Sequence, residues 1–232
     1  MELVAIEGAL RVGVTHRDGP SGNAKIGPRM AQIWIEGAGA CGGCPLRPAR
    51  EGGEGGCYVR AYVATRALRD TLRARVEISP AELAADLAAR GRSLRISAHG
   101  DASEAPRTAI ALAEAAEAAG VRVIGYSHGW RKAEAQPLRR WLMASVHTAE
   151  EAAEARAMGW RPAIATDDPT EAAAAGARQC PATREGSAVK CDTCHACDGT
   201  VRRGPSAGGA WFPLHGAQRA RAARAIEALA LA

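Results

Sequence analysis

The seven cysteines carry the first chemical signal, because they fall in two groups: Cys41, Cys44 and Cys57, then Cys180, Cys191, Cys194 and Cys197. Residues 58–179 contain none. Cysteines used as small core residues scatter, whereas close spacing is the arithmetic of metal ligation. The odd count, and a start (Met1-Glu2-Leu3-Val4) without a basic region before an apolar run, argue against a secreted disulfide scaffold. The first group is C-x-x-C-P followed, twelve residues on, by Cys57, so three thiolates on one loop leave a fourth position open. A [4Fe–4S] cluster held by three cysteines leaves one iron for a small ligand, whereas structural zinc takes four closed ligands. The second group, Cys180-Pro181 and then Cys191-x-x-Cys194-x-x-Cys197, has the close spacing of ferredoxin-type iron–sulphur runs and is also compatible with zinc. His215 is a candidate eighth soft ligand; counting it gives two complete four-ligand sites, and zinc is the alternative that arithmetic supports. His195, inside the second run, is not taken as a ligand.

Polar side chains of another kind recur just after short apolar runs. His99, Asp101 and His128 are the candidate catalytic residues, with Ser97, Gly100 and Ser127 beside them as candidate cofactor contacts. Ser145 and His147, then Asp167 and Asp168, hold equivalent places further along. The His99-Gly100-Asp101 run can hold a ligand amine or move a proton, and a satisfied polar turn is the plain alternative. Ser21-Gly22-Asn23-Ala24-Lys25 resembles a phosphate-cradling turn, which makes Asn23 and Lys25 further cofactor contacts. It lacks the full spacing of a nucleotide loop and a helix directly after it.

These residues need elements to position them, and the chain supplies a regular alternation. A short strand is expected over 4–6 or 10–14, a strand over 30–36, and then a Gly/Cys/Pro loop over 37–57. Residues 57–72 are amphipathic at helical spacing. Ser79-Pro80-Ala81-Glu82 is a capping box opening a helix to residue 90, and 106–119 is an Ala-rich helix closed by Gly120. Strands are expected over 94–97, 121–126, 141–146 and 162–165. Thr148-Ala149-Glu150-Glu151 is a second capping box, with its helix running to 158–159, and 219–231 is a closing amphipathic helix. Strands alternating with helices of this length predict an α/β fold of βα repeats with a mostly parallel sheet, open or a partial TIM-like barrel. Chemistry in such folds collects at the carboxyl ends of the strands, so one mouth is expected to gather the cysteine loops, the histidines and the carboxylates.

Composition bounds the rest. With 232 residues, 47% hydrophobic and 24% charged, the chain reads as a single globular domain over 1–232, with a cysteine loop at 37–57 and a cysteine-rich metal-binding segment at 179–216. No run approaches the ~18–20 apolar residues that span a bilayer, so no membrane partner is expected, and the cytoplasm of a bacterial host cell is the expected location. Aromatic content is 4% with one Phe (Phe212), so the core must be aliphatic. The net charge of +5 comes from an Arg-rich, Lys-poor composition, read first as the mark of a GC-rich genome. Arg131, Lys132, Arg139, Arg140, Arg219, Arg221 and Arg224 form basic surfaces suited to nucleic acid or a nucleotide.

The motifs together resemble the gene product 88-like proteins, an uncharacterised cysteine-rich family of phages and plasmids. The likeness rests on residues 21–25, Ile33-Trp34, Cys41/Cys44-Pro45-Leu46/Cys57-Tyr58, the 95–101 strand exit and Tyr126-Ser-His-Gly-Trp130. Cys180-Pro181, Cys191/Cys194/Cys197 and Phe212-Pro-Leu-His215-Gly216 continue it in the same order. It implies relatives and a phage or plasmid context rather than a reaction.

Three readings follow. In the first, the layout is similar to that of radical S-adenosylmethionine enzymes with an auxiliary cluster. The open iron would bind the cofactor's amino and carboxylate groups, His99 and Asp101 would hold its amine, and a flavodoxin or ferredoxin would donate the electron. The spacing of Cys41, Cys44 and Cys57 departs from the C-x-x-x-C-x-x-C of those enzymes. In the second, zinc or iron–sulphur sites clip long loops of a non-catalytic nucleic-acid-binding protein. In the third, a DNA base-modifying enzyme carries a structural zinc. The first is the expectation carried forward, with a substrate that is nucleic acid or derived from a nucleotide.

Overall fold

The computed structural model describes residues 1–21, 23–47, 56–57, 70–71, 73–201, 204, 207–216 and 218–230. Among these residues nine strands form one sheet, in the order β1-β2-β3-β4-β5-β6-β7-β9-β8. The strands are β1 (Glu2–Glu7), β2 (Leu10–Thr15), β3 (Met30–Glu36), β4 (Ser93–His99), β5 (Val123–Ser127), β6 (Met143–Val146), β7 (Pro162–Ala165), β8 (Ala177–Gln179) and β9 (Gly209–Phe212). The pairs β1–β2 and β2–β3 are antiparallel, and every later pair is parallel. The α/β class and the mostly parallel sheet therefore stand. The sheet is open, with β1 and β8 as its edges.

Both alternatives for the first strand form, as a hairpin. Glu7 pairs with Leu10 across a two-residue turn whose Gly8 takes φ +58°, the conformation such turns require. Strands β8 and β9 had no clear sequence signal: β8 is three residues long, and neither alternates over enough residues to stand out. The amphipathic segment expected over 57–72 lies outside the described residues, apart from 57, 70 and 71.

The described helices are α1 (Pro80–Ala89), α2 (Pro106–Ala118), α3 (Ala149–Ala157), α4 (Pro169–Ala174), α5 (Cys191–Cys194) and α6 (Arg219–Ala230). At α1 the capping box is complete: Ser79 Oγ accepts from Glu82 N at 3.2 Å, and Glu82 Oε2 accepts from Ser79 N at 2.9 Å. The second expected box is only half made. Thr148 Oγ1 accepts from Glu151 N, but the Glu151 carboxylate reaches past Thr148 to accept from His147 N at 2.7 Å. A functional residue thus takes the cap's second hydrogen bond.

Strand alternation sends successive side chains to opposite faces, and the two faces differ here. Ala31, Ile33, Ile35, Leu94, Ile96, Val123, Val146 and Ile164 pack against Leu83, Leu87 and Leu112 from the helices. Alanines and two fully buried tryptophans, Trp130 and Trp160, complete that core, which is how it closes with so few aromatics. The opposite face presents Met30, Ile124, Met143 and Ala163 to Ile26, Tyr126, Phe212, Cys191 and Cys197. Among the described residues no helix is long and apolar enough to cross a membrane.

Candidate functional site

At the carboxyl ends of β3–β6 the structure gathers the first polar group. A register break in β4 sets His99 opposite Trp34, where unbroken pairing from Gln32–Arg95 would put Ser97. Ser97 absorbs the break with φ +61°, and its hydroxyl accepts from Ala102 N at 3.0 Å. The His99 ring stacks on Trp34 with centroids 6.5 Å apart, and its Nε2 lies 3.1 Å from Glu36 Oε2 and 3.9 Å from Cys41 Sγ. Gly100 follows with φ +70°, where a Cβ would overlap the Ile35 carbonyl. Only glycine lets the chain pass β3 this closely.

Asp101 is the hub. Its Oδ1 accepts from Ser127 Oγ at 2.6 Å and Ser103 N at 2.9 Å, and its Oδ2 accepts from His128 N at 2.6 Å. Its own amide donates to Ala40 O at 2.7 Å, tying it to the cysteine loop. With 4% exposure and three donors already engaged, this carboxylate positions β5 and His128; it has little capacity left to hold a cofactor amine. His128 Nε2 lies 3.1 Å from Ser145 Oγ and 3.9 Å from Cys44 Sγ, with Nδ1 3.8 Å from Asp101 Oδ2. The ring stacks on His147 at 5.5 Å. His147 Nδ1 lies 3.2 Å from the Ala165 carbonyl, while its buried Nε2 has no hydrogen-bond partner among the described residues.

The electrostatics of this pocket follow from burial. The Cys44 thiol is pushed up to about 12, first by desolvation and then by Cys57, Cys41 and Asp101 nearby, against a hydrogen bond from the Leu46 backbone. His128 is lowered to about 4 by burial and by repulsion from His147, and His147 is lowered by burial. The neighbouring Cys41 and Cys57 and the neutral imidazoles offer the Cys44 thiolate no compensating positive charge.

The four remaining cysteines form the second group. Each of the six pairs among Cys180, Cys191, Cys194 and Cys197 interacts electrostatically, around a cavity of about 460 Å³. Burial raises Cys197 to about 12 and Cys191 to about 11, and it raises Cys180 as well. Tyr126 Oη hydrogen-bonds Cys197, and the Tyr126 ring packs edge-on against Phe212 at 5.4 Å. All seven cysteines are unbridged thiols. Among the described residues no group of three or more His, Cys, Asp or Glu side chains is arranged to hold a metal ion. The four thiols line that cavity together.

The single mouth expected from the sequence is corrected here. Cys180 leaves the carboxyl end of β8, but the 191–201 segment lies across the amino ends of other strands. Cys191 N and Asp192 N donate to the Lys25 and Ile26 carbonyls just before β3, and His195 Nε2 lies 2.7 Å from Ser93 Oγ at the first residue of β4. Val201 N donates to Arg140 O ahead of β6. Arg161, 3% exposed and directly before β7, donates to the carbonyls of Ala196, Gly199 and Gly208 and lies 3.6 Å from Asp198. His195 adopts φ +50° to end α5, which makes it a structural residue that sequence reasoning passed over.

The 21–25 turn is part of this clasp. Asn23 Oδ1 accepts from Lys25 N at 3.0 Å, Ser21 Oγ donates to Gly27 O at 2.6 Å, and the Lys25 carbonyl receives Cys191. Asn23 and Lys25 therefore stand with the second cysteine group, apart from Ser97, Gly100 and Ser127. A Cβ at Gly27 would overlap the Asp192 carboxylate, so glycine is required where the two segments meet. His215 is exposed, with Nδ1 3.0 Å from the Pro213 carbonyl, and does not line the cysteine cavity. Most of the basic surface expected from the sequence is neutralised: Arg131 pairs with Glu151 and Glu154, Lys132 with Glu104, Arg140 with Glu117 and Arg219 with Asp167.

Sequence reasoning missed Glu36, which reads as the last residue of an alternating strand, and Arg161, one arginine among many. Ser145 and His147 were visible as strand-exit residues, though nothing linked them to His128. No protein family, no curated protein and no solved structure matches this chain.

Proposed function

We propose that this chain is an iron–sulphur enzyme of the radical S-adenosylmethionine-like kind, built on a sheet wound as an opened TIM-like barrel. The observation that carries the reading is the four-cysteine cavity, with every pair of Cys180, Cys191, Cys194 and Cys197 within electrostatic reach. A donor set of four thiols around one cavity, with burial raising Cys180, Cys191 and Cys197, suits the soft irons of a polynuclear cluster. The sequential run β3-β4-β5-β6-β7 with helices packed on one face supports the barrel-like winding.

Cys41, Cys44 and Cys57 supply the second set, with no fourth cysteine, beside His99 and His128. A cluster held there would supply one-electron reduction to a ligand on its open iron, with a flavodoxin or ferredoxin as donor. The chain's own residues would do the rest. Glu36 and Trp34 fix the His99 ring, Asp101 fixes the His128 backbone, and His128 and Ser145 face the space beside Cys44. The substrate class we assign is nucleic acid or a nucleotide derivative. The resemblance to the gene product 88-like proteins, which rests on the order of the motifs alone, is the ground on which we propose a phage or plasmid context.

Anaerobic preparation followed by iron, sulphide and zinc analysis tests this. Iron with broad visible absorption and two distinguishable EPR signals is expected after reduction. Cys57→Ala should remove the signal that S-adenosylmethionine perturbs and leave the other. Zinc alone, without visible absorption, overturns the reading in favour of a zinc-stabilised nucleic-acid-binding or base-modifying protein. Iron with no response to S-adenosylmethionine overturns the enzyme class while retaining the clusters.

A further inference from the structure

Two pairs of stacked rings stand beside the three-cysteine group, and they differ in what they leave open. Trp34 and His99 are both buried, the His99 side chain to 1% exposure, so that stack is closed. His128 stacks on His147 with centroids 5.5 Å apart and planes within 22°. His147 is the floor of this second stack: it is buried, its Nδ1 lies 3.2 Å from the Ala165 carbonyl, and its backbone N donates to Glu151. His128 is the outer ring, with 22% of its side chain exposed. Its edges are held. Ser145 Oγ lies 3.1 Å from Nε2, and Asp101 Oδ2 lies 3.8 Å from Nδ1 while accepting from the His128 amide at 2.6 Å. With both nitrogens engaged and one face on His147, the carbon edge and the opposite face remain for a ligand. Ser145 beside it is partly exposed, and a hydroxyl bonded to one imidazole keeps capacity for a second partner. The cations next in the chain offer no phosphate site here, because Arg131 is bound to Glu151 and Glu154 and Lys132 to Glu104.

A flat ring fixed at its edges, backed by a second ring and open on one face, is a stacking platform, and a π-face is what every nucleobase offers to such a platform. We infer that a nucleobase stacks on the open face of His128. The cysteine loop is at its side, since Cys44 Sγ lies 3.9 Å from His128 Nε2. The inference deepens the proposed function and rests on its substrate class; it requires no metal at either cysteine group. A base inside a duplex has both faces covered by its neighbours, so the ligand is a mononucleotide, or a base in a single strand or turned out of a helix. With the nearby cations already paired, this stack reads the base and leaves the phosphate to other parts of the surface.

The test is a proton–carbon NMR titration of the full-length protein as isolated, with histidine labelled at Cε1 and the His128 resonance identified by its absence in His128→Phe. The probes are the four deoxynucleoside monophosphates, with deoxyribose phosphate as the probe that lacks a base. The His128 resonance should move upfield with the nucleotides, because a base lying over the ring shields it, and stay in place with deoxyribose phosphate. A response to all four supports the stack and gives the base to the substrate; a response confined to adenine supports it and gives the base to a nucleotide cofactor. His128→Ala should weaken nucleotide binding by about tenfold or more, while His128→Phe, which keeps a flat ring and loses the nitrogens, should stay within about threefold of wild type. If His128→Ala does not fold, the wild-type contrast between nucleotide and deoxyribose phosphate carries the test. Equal shifts with deoxyribose phosphate, or unchanged nucleotide affinity in folded His128→Ala, overturn the stack and leave the substrate class standing. No binding of any nucleotide or single-stranded oligonucleotide removes the substrate class with it. Metal analysis is read separately: a protein without iron that still shows the shift loses the iron–sulphur reading and keeps the stack.

Discussion

The two cysteine groups lie at different ends of the strands of one sheet, and they are built in opposite ways. The four-cysteine group is held by backbone: the carbonyls of Lys25, Ile26 and Arg140 and the guanidinium of Arg161 fix the 191–201 segment across strand amino ends. Its thiols are left for a ligand. The three-cysteine group is held by side chains, because Asp101, Ser127, Glu36, Trp34 and Ser145 lock two histidines against Cys41 and Cys44. The first arrangement turns its thiols toward a cavity. The second surrounds its thiols with groups that can move protons or bind a ligand, which is why function is assigned to it.

The largest expected effect separates the two by stability. Arg161→Ala removes the buried guanidinium beside Asp198 and the donor to three carbonyls, and should cost about 3–5 kcal/mol in a urea titration. Iron at the four-cysteine site should fall while the three-cysteine EPR signal persists, and loss of both signals would mean that the groups are one cooperative unit. Asp101→Asn acts on the other side. Losing charge-assisted hydrogen bonds to Ser127, Ser103 and His128 should cost about 1.5–3 kcal/mol and alter only the three-cysteine signal.

A pH titration of the metal-free protein sharpens the comparison further. His128 and His147 are held neutral by burial, so below the ordinary imidazole value of about 6.5 the unfolded chain binds more protons than the folded one. Stability should therefore be complete above that value and fall steadily toward pH 4. His128→Gln with His147→Gln should flatten the slope; an unchanged slope would place the acid sensitivity elsewhere. The smallest effect is a control remote from both groups. Ser79→Ala removes a complete capping box and should cost about 1 kcal/mol, more than Thr148→Ala at its half-made counterpart, with both EPR signals intact.

Local signals carried much of the fold. Ser79-Pro80 and Pro106 open helices where expected, and Gly120 follows the second helix, because caps and proline act within a few residues. The alternation over 30–36 marked β3 for the same reason. What failed was long-range. Residues 21–25 look like a phosphate loop in isolation, and only the docking of Cys191 on the Lys25 carbonyl shows them as a clasp. Arg131, Lys132 and Arg140 look like an anion-binding face until their carboxylate partners arrive from elsewhere in the chain.

The sequence by itself determined the chemistry available: seven thiols in groups of three and four, histidines at strand exits, and an aliphatic α/β core to carry them. Residue type and spacing are local properties, and they settle which ligands can exist. Only the tertiary structure decided that the groups lie at different ends of the strands, that Asp101 is consumed in positioning, and that Arg131, Lys132, Arg140 and Arg219 meet carboxylates. Those outcomes depend on which distant segments meet, because burial, hydrogen-bond saturation and charge pairing are set by neighbours in space.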